Sequence, residues 1–303
     1  MPASRDAPSG HAARAAPPAE WSALLVDAVN KPGVISSAYS RFWEYSVGNQ
    51  LLAMFQCSLR RLELGPINTF GGWLNLGRHV RKGEKAITLC MPITVTRKRE
   101  TGELVIGGDQ AERQPETIRV TRFIYKPHWF VLCQTDGDAF TPPPIPHWDE
   151  RTALHVLSVD RVPFTNPNGN VQGYASAERQ VAVSPIATLP HKTLFHELAH
   201  VLLGHTEELR HLVDGHERTP TNLREVEAEA VALICCESLG MTGVEFCRGY
   251  IQHWLGKDQI PERSAQRIFK AADAILRAGR GEPLERSDPS TADRSTIDTA
   301  APR

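Results

Sequence analysis

Two histidines four residues apart, with a glutamate directly after the first, constrain the fold of this 303-residue chain more than any other feature. They are His196 and His200, which enclose Glu197 in the segment FHELAH. On a helix, side chains four residues apart project from one face, so both imidazoles can reach the same metal ion. Glu197 is placed to take a proton from a metal-bound water. Together with apolar flanks and a glycine stop at Gly204, the segment predicts a buried helix with a catalytic metal centre.

A catalytic zinc site of this kind needs a third protein ligand. The form in which glycine and a third histidine follow the motif is excluded, because Leu203 and Thr206 occupy those positions. The remaining choice is an acidic residue on a later predicted helix, at 225, 227 or 229. Glu229 starts from the most apolar face, where an ionised carboxylate needs a positive partner. We therefore predict Glu229 as the third ligand, Glu225 as the alternative, and Glu227 as a solvated surface charge.

The chemistry predicted for this centre is hydrolysis of an amide bond, because a bound metal lowers the pKa of its water toward ~7 and polarises the carbonyl. Two imidazoles and a carboxylate suit Zn²⁺ best, and Mn²⁺ is tolerated by such sites. A strand predicted over residues 180–186 precedes the motif helix and, as an edge strand, could pair with an extended peptide. Tyr174, His216 and Tyr250 are candidates for an additional oxyanion donor. His205 is expected to support the site or to lie at the surface rather than to bind the metal.

Prolines and low-complexity ends divide the chain. Residues 136–150 contain three consecutive prolines and a fourth two residues later, which sustain neither a helix nor a central strand. We place a linker there, between a first domain over residues 19–135 and a second over residues 151–280. Residues 1–18 and 281–303 are expected to form a disordered leader and tail. Helical spacing followed by β-branched segments makes the first domain α+β, whereas the second is mainly helical with a small β-sheet.

Composition excludes several classes of protein. No apolar run approaches the ~18 residues of a membrane span, and the N-terminus lacks the apolar core of a signal peptide. The six cysteines show no CxxC spacing, so neither a zinc ribbon nor a disulfide framework is predicted. We expect a cytoplasmic protein with no membrane partner.

The net charge of −1 hides an uneven distribution. Residues 41–99 hold ten Lys or Arg against three Glu, a net charge of +7, which leaves −8 for the rest of the chain. Aromatic residues are interleaved with these basic residues. Cations for phosphates and rings for bases are what a single-stranded nucleic acid requires, but aromatics at this spacing also build a core. Composition alone leaves the two interpretations open.

Three segments of the first domain together resemble the ArdC-type antirestriction proteins. They are WLNLGRHVRKGEKAI at residues 73–87, the helix in which Tyr45 is followed by Asn49, and FVLCQTDG at residues 130–137. In the second domain, a helix containing Ala228-Glu229 follows the HExxH motif and ends in a Cys-x-x-Leu-Gly-like segment. The resemblance covers roughly residues 20 to 240 and lies mainly in the order of these motifs. Two departures are the VLLGH segment after the motif, which is closer to ImmA-like peptidases, and a variable insertion over residues 97–115.

The resemblance implies a domain that binds single-stranded DNA, joined to a zincin-like metallopeptidase domain. It also implies a role in protecting incoming plasmid or mobile-element DNA from host restriction during conjugation. The residues expected to contact single-stranded DNA are Tyr45, Asn49, Trp73, Arg78, Arg81, Lys82 and Lys85. Two alternatives stay open at this point: an intracellular zinc protease that cleaves a regulatory protein, and a non-catalytic DNA-binding protein with a structural metal.

Overall fold

The computed structural model describes residues 18–98, 117–166, 170–207 and 219–283. Most of the predicted leader, tail and variable insertion lies outside these described residues. The described chain forms two compact units. One unit is residues 55–140, and the other combines residues 20–54 with the described part of residues 141–283. The chain is α+β, as the sequence predicts.

Three helices come first: α1 (Trp21–Asn30), α2 (Val34–Phe42) and α3 (Val47–Arg60). The apolar spacing of Leu24, Leu25 and Ala28 predicts that they share one face of α1, and all three are buried. Gly33, with φ 84°, starts α2 from the left-handed region that glycine adopts without strain. The boundary between the two units falls within α3.

The unit of residues 55–140 is built on a long antiparallel hairpin. Its elements are β1 (Ile67–Thr69), α4 (Phe70–Asn75), β2 (Arg78–Val80), β3 (Ile87–Lys98), β4 (Thr117–Val131) and β5 (Thr135–Gly137). The hairpin strands β3 and β4 are those predicted from β-branched and aromatic residues, and the short strand β1 pairs with β4, in the order β1-β4-β3. Strands β2 and β5 pair antiparallel in a separate two-stranded sheet.

The C-terminal elements are mainly helical, with a three-stranded sheet. They are α5 (Glu150–Leu157), β6 (Asp160–Arg161), β7 (Gly173–Ala175), β8 (Gln180–Val183), α6 (Pro190–Leu202), α7 (Thr221–Leu239), α8 (Val244–Leu255) and α9 (Glu262–Gly279). The strand predicted as an edge strand, β8, is the central one: it pairs parallel with β6 and antiparallel with β7. Its buried residues Val181, Ala182 and Val183 explain why it needs a neighbour on both sides. The edge strand beside the motif helix is therefore β7.

The predicted first domain, residues 19–135, is divided in the structure, because residues 20–54 belong to the same unit as the C-terminal elements. The carboxylate of Glu262 at the start of α9 accepts hydrogen bonds from the backbone N–H groups of Trp21 and Ser22, at 3.0 and 2.8 Å. Glu237 on α7 accepts one from the N–H of Gly33 at 2.8 Å. These bonds satisfy backbone N–H groups at the starts of α1 and α2, which have no acceptor within their own helix. Contacts more than 200 residues apart in sequence thus set this boundary. The other boundary, after Phe140, falls inside the predicted proline-rich linker.

No helix among the described residues is both long and apolar enough to cross a lipid bilayer. All six cysteines are free thiols in the structure.

Candidate functional site

Helix α6 carries both motif histidines, and it forms where the sequence predicts it. Pro190 occupies the first turn, where its missing N–H costs nothing. Leu194, Phe195 and Leu198 bury one face of the helix and so fix its rotation. The Nε2 atoms of the two motif histidines, His196 and His200, then lie 3.0 Å apart. The predicted helix thus brings both imidazoles to one point.

Glu225 in the second turn of α7 provides a carboxylate at the same point. Its Oε2 lies 3.4 Å from Nε2 of His196, and its Oε1 lies 3.7 Å from Nε2 of His200. Among the described residues, these three form a group whose ligand atoms all lie within 4.8 Å of one another. Two imidazole nitrogens and one carboxylate oxygen are a donor set that fits a divalent metal ion with an open coordination position.

Glu229, the predicted third ligand, lies one turn further along α7 and faces a different edge of the His196 ring. Its Oε1 is 3.3 Å from Nδ1 of His196 and 2.5 Å from Nζ of Lys192. A carboxylate on this apolar face needs a positive partner, and the partner of Glu229 is Lys192. The order of the two candidates is therefore reversed: Glu225 faces the Nε2 atoms, and Glu229 faces Nδ1.

The predicted catalytic base, Glu197, is buried beside this group. Burial is the main reason why its pKa rises to about 7. Gly173 on β7 packs directly against it, because a Cβ atom at residue 173 would lie 3.1 Å from Cγ of Glu197. A carboxyl group with a pKa near neutrality can both accept and return a proton, which is the property that a general base requires.

The other ionisable groups of the site differ widely in their proton affinity. Burial, the largest effect, lowers the pKa of His196, but Glu225 and Glu229 outweigh it and raise that pKa to about 9. For His200, burial and the neighbouring His196 lower the pKa to about 4. Although burial raises the pKa of Glu229, contacts with His196 and Lys192 bring it down to about 2. In the metal-free protein, one histidine of the pair is therefore protonated and the other is neutral.

A second histidine–carboxylate pair lies on the Nδ1 side of the His200 ring. Nδ1 of His200 is 2.9 Å from Nδ1 of His205, and Nε2 of His205 is 2.7 Å from Oε2 of Glu227. His205 is only 2% exposed, so its predicted supporting position is the one observed. The prediction that Glu227 is a solvated surface charge is wrong, because its side chain is 0% exposed. Its partners are His205, 22 residues earlier, and Arg267 on α9, whose Nη1 lies 3.7 Å from Oε1.

A cavity of about 800 Å³ opens onto the site. The edge strand β7 forms one wall, and α6 and α7 carry the ionisable groups. Phe246 on α8 also lines the cavity and is 71% exposed. Of the predicted oxyanion donors, Tyr174 lines the cavity. Burial raises the pKa of Tyr250, and the charges of Glu225 and Glu229 add to the rise. His216 lies outside the described residues.

The residues predicted to contact DNA fall into two groups in the structure. Trp73 is 0% exposed, and its indole N–H donates to the carbonyl of Phe130 at 2.8 Å, so its ring belongs to the core. Arg78 donates to the hydroxyl and the carbonyl of Thr135, at 2.9 and 3.0 Å, and so holds β5 in place. Asn49 is also buried. These three are corrections to the predicted DNA contacts, because packing and hydrogen bonding already use their side chains.

Other predicted contacts remain accessible. Lys82 and Lys85 are exposed in the turn between β2 and β3. Arg81 is 42% exposed but donates to Glu84 at 2.9 Å. Tyr45, in the other unit, is half-buried. Two aromatic residues that the charge pattern included but did not single out, Phe70 and Phe123, are exposed in the unit of residues 55–140. Only tertiary structure could separate these exposed rings from Trp73.

Comparison with known proteins bears on the N-terminal part of the chain. Residues 26–127 match a family model described as the N-terminal domain of the anti-restriction factor ArdC. Two crystal structures of the antirestriction protein ArdC from the R388 plasmid are also similar. The metal-free one is 20% identical, with a TM-score of 0.48, and the match covers 88% of this chain and 99% of that chain. The Mn(II)-bound one is 19% identical, with a TM-score of 0.45 and coverage of 86% and 97%.

No curated protein matches the chain. The family match includes two of the segments that carried the resemblance in the sequence, residues 45–49 and residues 73–87, whereas residues 130–137 and the segments of the second domain lie outside it. Residues 26–127 of the chain are therefore similar to the N-terminal domain of the anti-restriction factor ArdC.

Proposed function

We propose that the C-terminal elements carry a zincin-like, metal-dependent peptidase centre. The observation that supports this is the convergence of the His196 and His200 Nε2 atoms with the Glu225 carboxylate, directly beside the buried Glu197. Two imidazoles and one carboxylate resemble a catalytic site rather than a closed structural one, because a fourth position stays open. A divalent ion held there supplies Lewis acidity toward a carbonyl and lowers the pKa of a coordinated water.

The side chains around this centre each have a role in the proposed hydrolysis. Glu197 accepts a proton on its carboxylate and returns it to the leaving amine, which a pKa of about 7 allows in both directions. Tyr174 and Tyr250 are the candidates that remain for donating a hydrogen bond to a developing oxyanion. Lys192 neutralises Glu229, so that carboxylate stays ionised next to His196 without adding a net negative charge.

Zn²⁺ is the first ion proposed for this donor set, because imidazole nitrogen and a single carboxylate suit its tetrahedral preference. Mn²⁺ is the second, since the ArdC protein of plasmid R388 has been solved with Mn(II). Both ions should be offered to metal-free protein in equilibrium binding measurements.

The proposed substrate of this centre is an extended segment of a protein. β7 is one of the two edge strands of its three-stranded sheet and lines the cavity, so its backbone can pair with an extended chain. Leu189 and the exposed ring of Phe246 offer apolar contacts to a substrate side chain in the same cavity. This strand, rather than β8, is the proposed substrate track.

We further propose that residues 55–140 bind single-stranded DNA. Support comes from the family match and from the exposed cations Lys82 and Lys85, with Phe70 and Phe123 as exposed rings in the same unit. Cationic groups bind phosphates, and rings stack on bases without regard to sequence. The proposed biological role is protection of incoming plasmid or mobile-element DNA from restriction.

A restriction-protection assay tests the combined function. A plasmid with restriction sites is transferred by conjugation into a restricting and a non-restricting recipient, with the full chain supplied as wild type, Glu197→Gln or Lys82→Gln/Lys85→Gln. We expect wild type alone to raise transfer into the restricting recipient. Loss of protection in Glu197→Gln indicates that proteolysis is required, whereas retained protection indicates that the metal centre serves another purpose. Failure of the wild type to protect would refute the proposed role.

A further inference from the structure

The pair formed by His205 and Glu227 lies outside the cluster that faces the cavity, yet it touches one member of that cluster. His205 follows α6 directly, and Glu227 lies on α7, between Glu225 and Glu229 in sequence. Both side chains are buried, and their contact at 2.7 Å is the length of a charge-assisted hydrogen bond. An ionised carboxylate and an imidazole in such a place are costly unless they satisfy each other.

The direction of the hydrogen bonds follows from the charge of Glu227. Its carboxylate lies 3.7 Å from the guanidinium of Arg267, which favours the ionised form, and an ionised carboxylate only accepts hydrogen bonds. His205 must then donate from Nε2. In the neutral ring, Nδ1 of His205 carries the lone pair and accepts.

The direction of the hydrogen bonds at His205 also determines the tautomer of His200. Its Nδ1 lies 2.9 Å from the accepting Nδ1 of His205, so Nδ1 of His200 carries the hydrogen. The lone pair of a neutral His200 therefore lies on Nε2, which is the atom that faces Glu225 and His196. The reverse direction would require either a protonated Glu227 or a His205 ring with hydrogens on both nitrogens, and it would place the hydrogen of His200 on Nε2, where it would prevent metal binding.

The two motif histidines are thus supported differently. Nδ1 of His196 faces Glu229, whose charge is neutralised by Lys192. Nδ1 of His200 faces another imidazole, which transmits the effect of a carboxylate that is too far away to touch His200 itself. Both arrangements fix the orientation of a histidine ring. Only for His200 does the tautomer depend on a second ring, that of His205, which lies between His200 and Glu227.

We propose that His205 and Glu227 are positioning residues that hold His200 in the tautomer with its Nε2 lone pair directed at the metal centre. The inference rests on the proposed function, because it presumes that His200 binds a metal. It adds that the affinity of this centre depends on two buried residues that do not touch the ion. Replacement of such supporting groups typically lowers metal affinity about ten- to hundredfold.

Imidazole nitrogen NMR on full-length, metal-free wild-type protein labelled with ¹⁵N-histidine tests the tautomer directly. We expect the signals of His200 to show a hydrogen on Nδ1 and a lone pair on Nε2. A hydrogen on Nε2 of His200 would overturn the proposal. This measurement needs neither bound metal nor a variant, so it judges the proposal even if wild-type protein binds no metal and the proposed peptidase centre fails.

Zinc binding by apoprotein, measured by competition with a chelator, tests the consequence in four variants. His205→Leu removes both hydrogen bonds, and we expect a ten- to hundredfold loss of affinity. His205→Gln keeps an acceptor for His200 and a donor for Glu227, so we expect it to recover most of that loss. Glu227→Gln keeps the acceptor but loses the charge that fixes the direction, and we expect an intermediate loss.

Glu237→Gln is the matched control. Glu237 is a buried glutamate on the same helix, but its partners are Arg248 and the N–H of Gly33, away from the site. We expect this change to lower the melting temperature of the apoprotein without changing its zinc affinity. If Glu227→Gln and both His205 variants only lower the melting temperature in the same way and bind zinc like the wild type, the two residues serve the fold alone and the proposal is wrong.

Discussion

The ammonium group of Lys192 lies 2.5 Å from the carboxylate of Glu229, and this ion pair distinguishes the two acidic residues that α7 directs toward His196. Glu229 is engaged by Lys192 and by Nδ1 of His196, whereas Glu225 faces the Nε2 atoms of both motif histidines. One turn of helix thus separates a proposed metal ligand from a residue that supports a ligand.

Replacement of each acid by alanine should separate these two roles. We expect Glu225→Ala to abolish stoichiometric zinc binding at micromolar metal, because one of three protein ligands is lost. Glu229→Ala should retain zinc with reduced affinity, but should destabilise the apoprotein by about 3–5 kcal/mol, because it leaves Lys192 without its partner in a largely buried place. Metal content after dialysis and urea denaturation measure the two effects. Zinc loss in Glu229→Ala together with full zinc content in Glu225→Ala would restore Glu229 as the third ligand.

The pKa of His196, raised to about 9 from an ordinary value of 6.5, predicts how metal binding depends on pH. In the metal-free protein, the bound proton stabilises the fold fully below pH 6.5, and this contribution is lost as the pH rises through about 9. A metal must displace that proton, so zinc affinity should increase about tenfold per pH unit between pH 7 and 9. Calorimetric titrations in buffers of different ionisation enthalpy measure the released proton. An affinity that does not change over this range would contradict the prediction.

Gly173 should be sensitive to the addition of a single methyl group. A Cβ atom there would lie 2.6 Å from Cγ2 of Thr193, 2.9 Å from the carbonyl oxygen of Ala182 and 3.1 Å from Cγ of Glu197. We expect Gly173→Ala to cost about 1–3 kcal/mol of stability by overpacking and to lower peptidase activity by displacing Glu197. Gly249→Ala on α8 is the control, because nothing lies within 4 Å of the added atom. Equal stability and activity in the two variants would argue against the close packing of β7 on Glu197.

The exposed lysines should contribute to DNA binding through their charge. We expect Lys82→Gln/Lys85→Gln to weaken binding of a labelled single strand for every sequence, and to reduce the slope of log affinity against log salt by about 1.4, at 0.7 per phosphate contact. Fluorescence anisotropy over a series of salt concentrations measures both. Lys257→Gln/Lys270→Gln, which removes two exposed charges from the other unit, should change neither value.

Arg78 should behave differently from these lysines, although the family motif contains all three residues. Because its guanidinium binds Thr135 through the hydroxyl and the carbonyl, Arg78→Gln should lower the melting temperature of the unit of residues 55–140. We expect the salt slope of DNA binding to stay unchanged in this variant. A reduced slope with an unchanged melting temperature would return Arg78 to the DNA-contacting group.

Local sequence determined the elements that depend on near neighbours. The spacing of His196 and His200 placed both imidazoles on one face of α6, and alternating β-branched and aromatic residues marked β3 and β4. Apolar spacing also gave the buried face of α1. These features follow from 3.6 residues per helical turn and two per strand repeat, which a chain displays without reference to its other parts.

Tertiary structure decided the features that depend on residues distant in sequence. The packing of α7 on α6 turns Glu225, and not Glu229, toward the Nε2 atoms of the two histidines. The burial of Glu227 depends on His205 and Arg267, which come from other segments. In the same way, Trp73 and Phe70 are both aromatic residues of α4, but packing buries the first and exposes the second. The sequence by itself determined that a helix with two histidines on one face and a basic, aromatic segment exist. Because burial and pairing are set by long-range packing, only the fold decided which side chains remain available for the proposed ion and the proposed DNA.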